Sequence, residues 1–408
     1  MEVMHPRCAG LDVHKDSISA HVRVQQGRQV TRHAETFGTT TQQLLKLLDW
    51  LKSHQVPAAA MEATGVYWKP VWHVLEGQVD LTLANARAIK NVPGRKTDVK
   101  DAEWIADLLA HGLIRPSFVP PAPIQELRDL TRTRTQLTRE RGQHVQRIQK
   151  VLEDANLKLA SVLSDILGVS GRAILDAIVQ GQTSPEKLAG LADPRVKASK
   201  EELAEALHGR ITKHHRFMLR LHLAQIDALD LALVTVESEL ERHLSPFRDL
   251  KCRLETIPGV KEIAAATILA EVGTDVKAFE THGHLLAWAC MSPGQNESAG
   301  KRRNTRTVPK RWLKPVLVQA AWSAVRKKEN TYLSSKYHRI RSRRGSKKAI
   351  LAVAGSILTA AYYIIRDGVE YQDLGSDYFD QIHRKTNVDR LVRRLHHLGY
   401  YVDLRPAA

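Results

Sequence analysis

Apolar residues in the first hundred positions come in short β-favouring runs; after residue 120 they recur at helical spacing. Residues 7–14 and 17–25 predict two strands turned by Lys15-Asp16, and a third is expected around 30–37. Leu44, Leu45, Leu47, Leu48 and Leu51 predict a helix over 41–53. Val56-Pro-Ala-Ala-Ala-Met-Glu62 is a small-residue strand ending in an acid. Ala63-Thr64-Gly65 then turns into a helix from Trp68 to Leu75, and residues 80–85 give another strand. A helix opens at Asp98. Strands in a meander and then alternating with helices predict an α/β domain with a mixed sheet, over residues 1–119.

Beyond Pro120-Pro-Ala-Pro123 the chain reads as long helix. Leu127, Leu130, Leu137, Val145, Ile148, Val151 and Leu152 fall at roughly heptad spacing through residue 156, and a second long helix over 214–243 pairs back on the first. This predicts a helical coiled-coil connector over 120–246. An antiparallel hairpin that dimerises or spaces domains is one reading, and nucleic-acid binding by Arg128, Arg132 and Arg139 another. Residues 247–370 read as a mainly helical domain and 371–408 as a tail. Ile257-Pro-Gly-Val260 before an Ala-rich helix resembles a helix-hairpin-helix turn, with phosphate binding and plain helix capping both open.

Charge adds a partner. The 408 residues carry a formal net charge of +17, which points to a polyanion. Residues 1–115 are nearly balanced, with 14 Lys and Arg against 12 Asp and Glu, whereas residues 301–349 hold 17 against one. The excess sits in one segment. Trp312, Trp322, Tyr332 and Tyr337 are interleaved with it, offering base stacking or simply core, with core favoured for Trp322. Arg339, Arg341, Arg343, Arg344, Lys347 and Lys348 precede an apolar helix over 349–365 and are assigned to a nucleic-acid backbone. Three scattered cysteines fit no disulfide framework or cysteine zinc site, and the 19 histidines include no H-E-x-x-H. No apolar run reaches the roughly 18 residues of a membrane span and the N-terminus has no signal-peptide pattern, so a cytoplasmic protein without membrane contact is expected.

The acids supply candidate chemistry. Asp98 and Asp101 lie three residues apart on one helix face, continued by Ile105 and Leu108, so they are expected to face inward. Capping explains such a pair by itself. Asp12 lies inside the first strand and Glu62 ends a later one, and a mid-strand Asp in a buried sheet is costly without a compensating charge. Two divalent cations would compensate it, since Mg²⁺ takes oxygen ligands and a metal pair can clamp the oxygens of a phosphoryl transfer. The order and spacing of these acids resemble the ribonuclease-H-like fold of RuvC-type nucleases. Farther on, residues 290–303 read as a polar loop leading into the basic segment. Ser298 stands there with Lys301, Arg302, Arg303 and Arg306, the first two able to stabilise phosphoryl transfer; serines in such loops usually serve as turn residues.

Six stretches carry a more specific likeness. Gly10-Leu-Asp-Val-His-Lys15, Met61-Glu-Ala-Thr-Gly-Val-Tyr-Trp68, Lys96-Thr-Asp-Val-Lys-Asp-Ala102, Ile257-Pro-Gly-Val260, Asn296-Glu-Ser-Ala-Gly-Lys-Arg302 and Val318-Gln-Ala-Ala-Trp322 together resemble the IS-one-ten insertion-sequence transposases, the DEDD recombinases guided by a bridge RNA. The likeness runs from about residue 7 to 370, and 371–404 resembles the tail of longer members. It implies that Asp12, Glu62, Asp98 and Asp101 bind Mg²⁺, or Mn²⁺ in its place, and that Ser298 attacks DNA to form a phosphoserine link. It also implies donor and target DNA as substrates, a guide RNA as partner and a tetramer built from dimers. The sequence departs from the family at Ala289-Cys-Met-Ser-Pro293, where members commonly read Gly-Leu-x-Pro, with Ser292 a weaker second nucleophile, and at Val308-Pro-Lys-Arg311, where they keep a glycine. A junction-resolving nuclease with water as nucleophile and a non-catalytic RNA-binding protein are the alternatives.

Overall fold

The computed structural model describes residues 3–63, 65–85, 89, 101–292, 297–298, 301–302, 312–326, 330–382 and 384–404. It divides into two compact units, Met1–Pro120 and Pro121–Ala408.

In the first unit, β1 (Arg7–Val13), β2 (Ser17–Gln26), β3 (Gln29–Gly38), β4 (Ala58–Glu62) and β5 (Asp80–Ala84) form one sheet in the order β3-β2-β1-β4-β5. β1, β2 and β3 pair antiparallel, while β4 runs parallel to β1 and to β5, so the sheet is mixed as the pattern predicts. β1 is central and therefore covered on both faces. Ala9, Leu11 and Val13 join Ile18, Met61 and the inner faces of α1 (Thr41–Ser53) and α2 (Trp68–Leu75) in one core. The alternate residues are small: Cys8, Ala58 and Ala60 pack with Ile105, Leu108 and Leu109 of α3 (Asp101–Ala110). Small side chains on this face let the helix lie close, and at Gly10 the approach leaves no room for any side chain: a Cβ there would stand 2.1 Å from the Ala102 carbonyl oxygen.

The second unit is mainly helical. α4 (Ala122–Asp154) is followed by α5 (Leu159–Val162), α6 (Val169–Val179), α7 (Pro185–Ala189) and α8 (Lys200–Ala206), and the chain returns along α9 (Lys213–Leu244). α4 and α9 are antiparallel, with Glu126 beside His243, Arg134 beside Glu237, Arg141 beside Asp230 and Asp154 beside His215. The apolar packing lies towards the ends of the pair: Ile148, Leu152, Leu219, Leu223 and Ile226 join α6–α8 in one core. Between residues 227 and 239 no residue of α9 is buried, and ion pairs hold the helices there. Such exposed pairs contribute about 0–1 kcal/mol each.

Then come α10 (Arg248–Glu255), α11 (Glu262–Val272), α12 (His282–Trp288), a two-residue ribbon β6 (Glu297–Ser298) and β7 (Lys301–Arg302), α13 (Leu313–Arg326), α14 (Tyr332–Arg344), α15 (Ser346–Asp367), α16 (Tyr378–Ile382) and α17 (Arg384–His397). α15 is long and apolar enough to cross a membrane by length and composition, which the shorter run read from the sequence did not indicate. Its Ala349, Val353, Ile357, Leu358, Ala361 and Ile364 are buried within the unit, which makes it a core helix here.

Candidate active site

Asp12 and Glu62 are brought side by side by strand register. Leu11 pairs with Met61 across the parallel β1–β4 ladder, so the next residues, Asp12 and Glu62, occupy equivalent positions on strands about 4.8 Å apart. Both are half-buried. Just past the end of β1, His14 Nε2 lies 2.9 Å from Asp12 Oδ2. An acid and a histidine two positions apart at a strand end are the sequence signal that points to this pair.

α3 runs antiparallel to β1 on that face. The Ala110 carbonyl accepts from the Met4 and His5 amides at 2.9 and 3.1 Å, the Ala106 carbonyl accepts from Cys8 Sγ at 3.4 Å, and Ala102 lies over Gly10. The first turn of α3 therefore arrives where β1 presents Asp12. Asp101 opens this helix, where the unsatisfied N–H groups favour a carboxylate. Asp101 is exposed, not inward-facing as its spacing from Ile105 and Leu108 suggests. The helix buries Ala102, Ile105, Ala106, Leu108, Leu109 and Ala110, while Asp101 itself is exposed. The other acids of α3 brace it: Glu103 pairs with Arg32 at 3.2 Å, and Asp107 with Arg23 at 2.9 Å and Arg32 at 3.3 Å. Asp98 lies outside the described residues.

Carboxylate oxygens are the donor set a hard divalent cation takes. Among the described residues no three His, Cys, Asp or Glu side chains stand close enough to hold one ion. Asp12 and Glu62 thus sit at adjoining strand positions, and the first turn of α3, where Asp101 stands exposed, arrives at the same end of β1. Cys8, on the same face, is no candidate nucleophile: burial pushes its thiol up to about 11.

In the second unit, Ser298 lies in a short ribbon where the sequence suggested irregular loop, and the register sets it opposite Lys301 and Glu297 opposite Arg302. Arg303 and Arg306 lie outside the described residues. Lys314 at the start of α13 donates from Nζ to the Cys290 carbonyl at 3.2 Å, tying the base of this segment to the helix, and burial lowers its ammonium pKa. Arg341, Arg343, Arg344, Lys347 and Lys348 are exposed around the α14–α15 junction, and the Arg339 guanidinium lies over the Phe379 ring. Arg128 and Arg132 have structural partners. Arg132 makes a two-pronged bond to the buried Glu271 carboxylate at 2.7 and 3.0 Å, and Arg128 donates to the Ala270 and Glu271 carbonyls at the end of α11. Arg139 and Arg132 both stack on Trp312. Gly259 in the Pro-Gly-Val turn has φ +83°, and a Cβ there would stand 2.1 Å from the Ala320 carbonyl oxygen, so packing against α13 accounts for this glycine.

Two family models match the chain. One, described as a transposase and labelled DEDD and IS110, covers residues 9–157, and with it β1, β4 and α3. The other, described as Transposase IS116/IS110/IS902 family, covers residues 252–339, including the Pro-Gly turn and the Ser298 ribbon. The chain belongs to the IS110 transposase family. It is a DNA-processing enzyme on that account, and the transposase's two matched segments lie in the regions that carry the acids and the serine. No curated protein matches the chain. Among solved structures, RuvC of Thermus thermophilus aligns at 16% identity over 27% of this chain and 99% of that one, with a TM-score of 0.21.

Proposed function

We propose that this transposase is a Mg²⁺-dependent DNA strand transferase with a ribonuclease-H-like catalytic domain, cutting and rejoining insertion-sequence ends and target sites through a serine–DNA intermediate. Asp12, Glu62, Asp98 and Asp101 are the residues that would hold the metal, which when bound supplies charge neutralisation at the scissile phosphate. The observation that carries the reading is the equivalent placement of Asp12 and Glu62 at adjoining positions of parallel strands, in a chain whose family is transposases.

Ser298 Oγ gives up its proton and bonds to phosphorus as the P–O bond to the leaving sugar breaks, the proton passing to the sugar oxygen. The phosphodiester is conserved as a phosphoserine ester, so a sugar hydroxyl of a second strand can reverse the step and rejoin DNA without an external energy source. Lys301, the cross-strand neighbour of Ser298, and Arg302 offset charge on the phosphoryl oxygens. Arg303 and Arg306 add positive charge for the nucleic-acid backbone. A guide RNA selects both DNA sites, and the enzyme acts as a tetramer.

The test is incubation of the purified protein with DNA ends, target, guide RNA and Mg²⁺, followed by denaturing electrophoresis. Wild type gives a denaturation-resistant protein–DNA adduct, and Ser298→Ala gives none. An adduct that survives in Ser298→Ala removes the serine from the mechanism, and cleavage without adduct in wild type makes the enzyme a hydrolytic nuclease. Activity persisting in Asp12→Asn removes the metal site.

A further inference from the structure

The tail after residue 370 is anchored to the helical unit by specific bonds. Asp373 Oδ1 accepts from the Tyr332 amide at 3.0 Å, at the start of α14, and from the Gly375 amide at 2.8 Å. Ser335 Oγ donates to the Ser376 carbonyl at 2.8 Å, and Phe379 stacks on Tyr332 at 5.2 Å. These contacts set α16 and α17 beside α14 and enclose a groove of about 560 Å³ between them.

The groove is lined from two sides by cations. Arg339 and Arg343, one turn apart on α14, face Arg390 of α17, with His338 and Ser342 between them and Asp380 as the carboxylate of the lining. Three guanidiniums and one carboxylate line the groove, and Arg343 Nε also donates to the Arg339 carbonyl at 3.5 Å. This local excess of positive charge favours an anion. Guanidinium forks and hydroxyls are donors matched to phosphate oxygens. Of the two rings in the lining, Phe379 is already covered, by Tyr332 on one side and by the Arg339 guanidinium 5.2 Å from its centroid, and His338 stands edge-on to Tyr337. The groove is therefore dominated by donors for phosphate, with His338 its one exposed ring.

We propose that this groove binds the phosphodiester backbone of a nucleic-acid strand without reading its sequence, and that the tail exists to complete it. This rests on the transposase reading for the presence of nucleic acid, and it adds a site to which Arg390 and the tail contribute.

Fluorescence anisotropy of the full-length protein tests it, using labelled single-stranded DNA, duplex DNA and RNA of arbitrary sequence over a range of salt. Arg343→Ala/Arg390→Ala weakens binding about 10- to 100-fold at 0.15 M salt and flattens the slope of log K against log salt by about 1.5–2, the loss expected for two phosphate contacts. Ser342→Glu, which adds a carboxylate to the groove and removes no guanidinium, weakens binding in the same direction. A control that removes two exposed charges elsewhere, Lys150→Ala/Lys200→Ala, changes the slope less, and the arm with the largest loss tells which polymer the groove serves. Unchanged affinity and slope in both groove variants overturn the proposal while leaving the transposase reading intact. If wild type binds none of the three polymers, the transposase reading fails and the groove proposal falls with it.

Discussion

Ala102 lies so close above Gly10 that a Cβ on the glycine would stand 2.1 Å from the Ala102 carbonyl oxygen and 2.5 Å from the Ala106 amide nitrogen. This contact fixes the height of α3 above the sheet, and with it where Asp101 arrives relative to Asp12. Both obstructing atoms are backbone, so no rotamer change relieves the clash. Gly10→Ala is expected to destabilise the protein by about 2–3 kcal/mol by overpacking. Gly77→Ala, at a turn with φ +76° and nothing within 4 Å, carries only backbone strain of about 1 kcal/mol. Urea unfolding of the two variants checks the difference; equal losses would mean that α3 slides to accommodate the methyl.

His14 and Asp12 make a second prediction. The pair is 2.9 Å apart but the imidazole is 62% exposed, so its contribution to stability is below about 1 kcal/mol. Its use is orientation of a carboxylate that, on the proposed function, binds Mg²⁺. His14→Ala should raise the Mg²⁺ concentration for half-maximal DNA cleavage about 10-fold, the usual size of an outer-shell effect, with the rate at saturating metal largely kept. Asp12→Asn should lose cleavage at every Mg²⁺ concentration. A His14→Ala enzyme with an unchanged metal titration would show that the pair is incidental.

What the sequence revealed follows the range of the forces involved. The strands of the sheet and helices α1, α2, α4 and α9 are written in local hydrophobic spacing, and they were legible within a few residues of their ends. Asp12 and Glu62 stood out because an acid within or ending an apolar strand is costly. The exposure of Asp101 is not legible in the sequence, because helical spacing tells which residues share a face but not how far along the helix that face is covered. The ribbon at Ser298 is not legible in the sequence, because two-residue strands are too short to show alternation. The roles of Arg128 and Arg132 were hidden for a different reason: their partner Glu271 lies about 140 residues away, and an exposed basic helix face and a buried ion pair look alike in sequence.

That ion pair gives a third prediction. Glu271 is 2% exposed and accepts both prongs of the Arg132 guanidinium, with Arg128 alongside. Removing the carboxylate takes from Arg132 its two-pronged acceptor and from Arg128 the opposite charge beside it, leaving Arg128 only its carbonyl acceptors. Glu271→Ala should therefore cost about 3–5 kcal/mol, while Glu271→Gln, which retains an acceptor, costs less. Chemical denaturation of each variant measures this. If Arg132→Leu/Glu271→Leu is as stable as wild type, the pair supplies specificity of packing and no net stability.

Cys8 gives a pH prediction whose sign is set by its burial between β1 and α3. The thiol is raised to about 11 in the folded protein, above its ordinary value near 9, because burial disfavours the thiolate. Below pH 9 both folded and unfolded chains hold the proton and the residue adds no pH dependence. Between about pH 9 and 11 the unfolded chain releases the proton and the folded chain retains it, so stability falls as pH rises, by up to about 1.4 kcal/mol per pH unit. Urea unfolding of wild type at pH 8 and pH 10.5 should show this loss, and Cys8→Ala should show a smaller one over the same interval. Alkylation by iodoacetamide at pH 8 should label the exposed Cys252 and spare Cys8 until the protein is unfolded. Rapid labelling of Cys8 in the native protein would mean that α3 lifts from the sheet, and that the position of Asp101 is not fixed by the contact at Gly10.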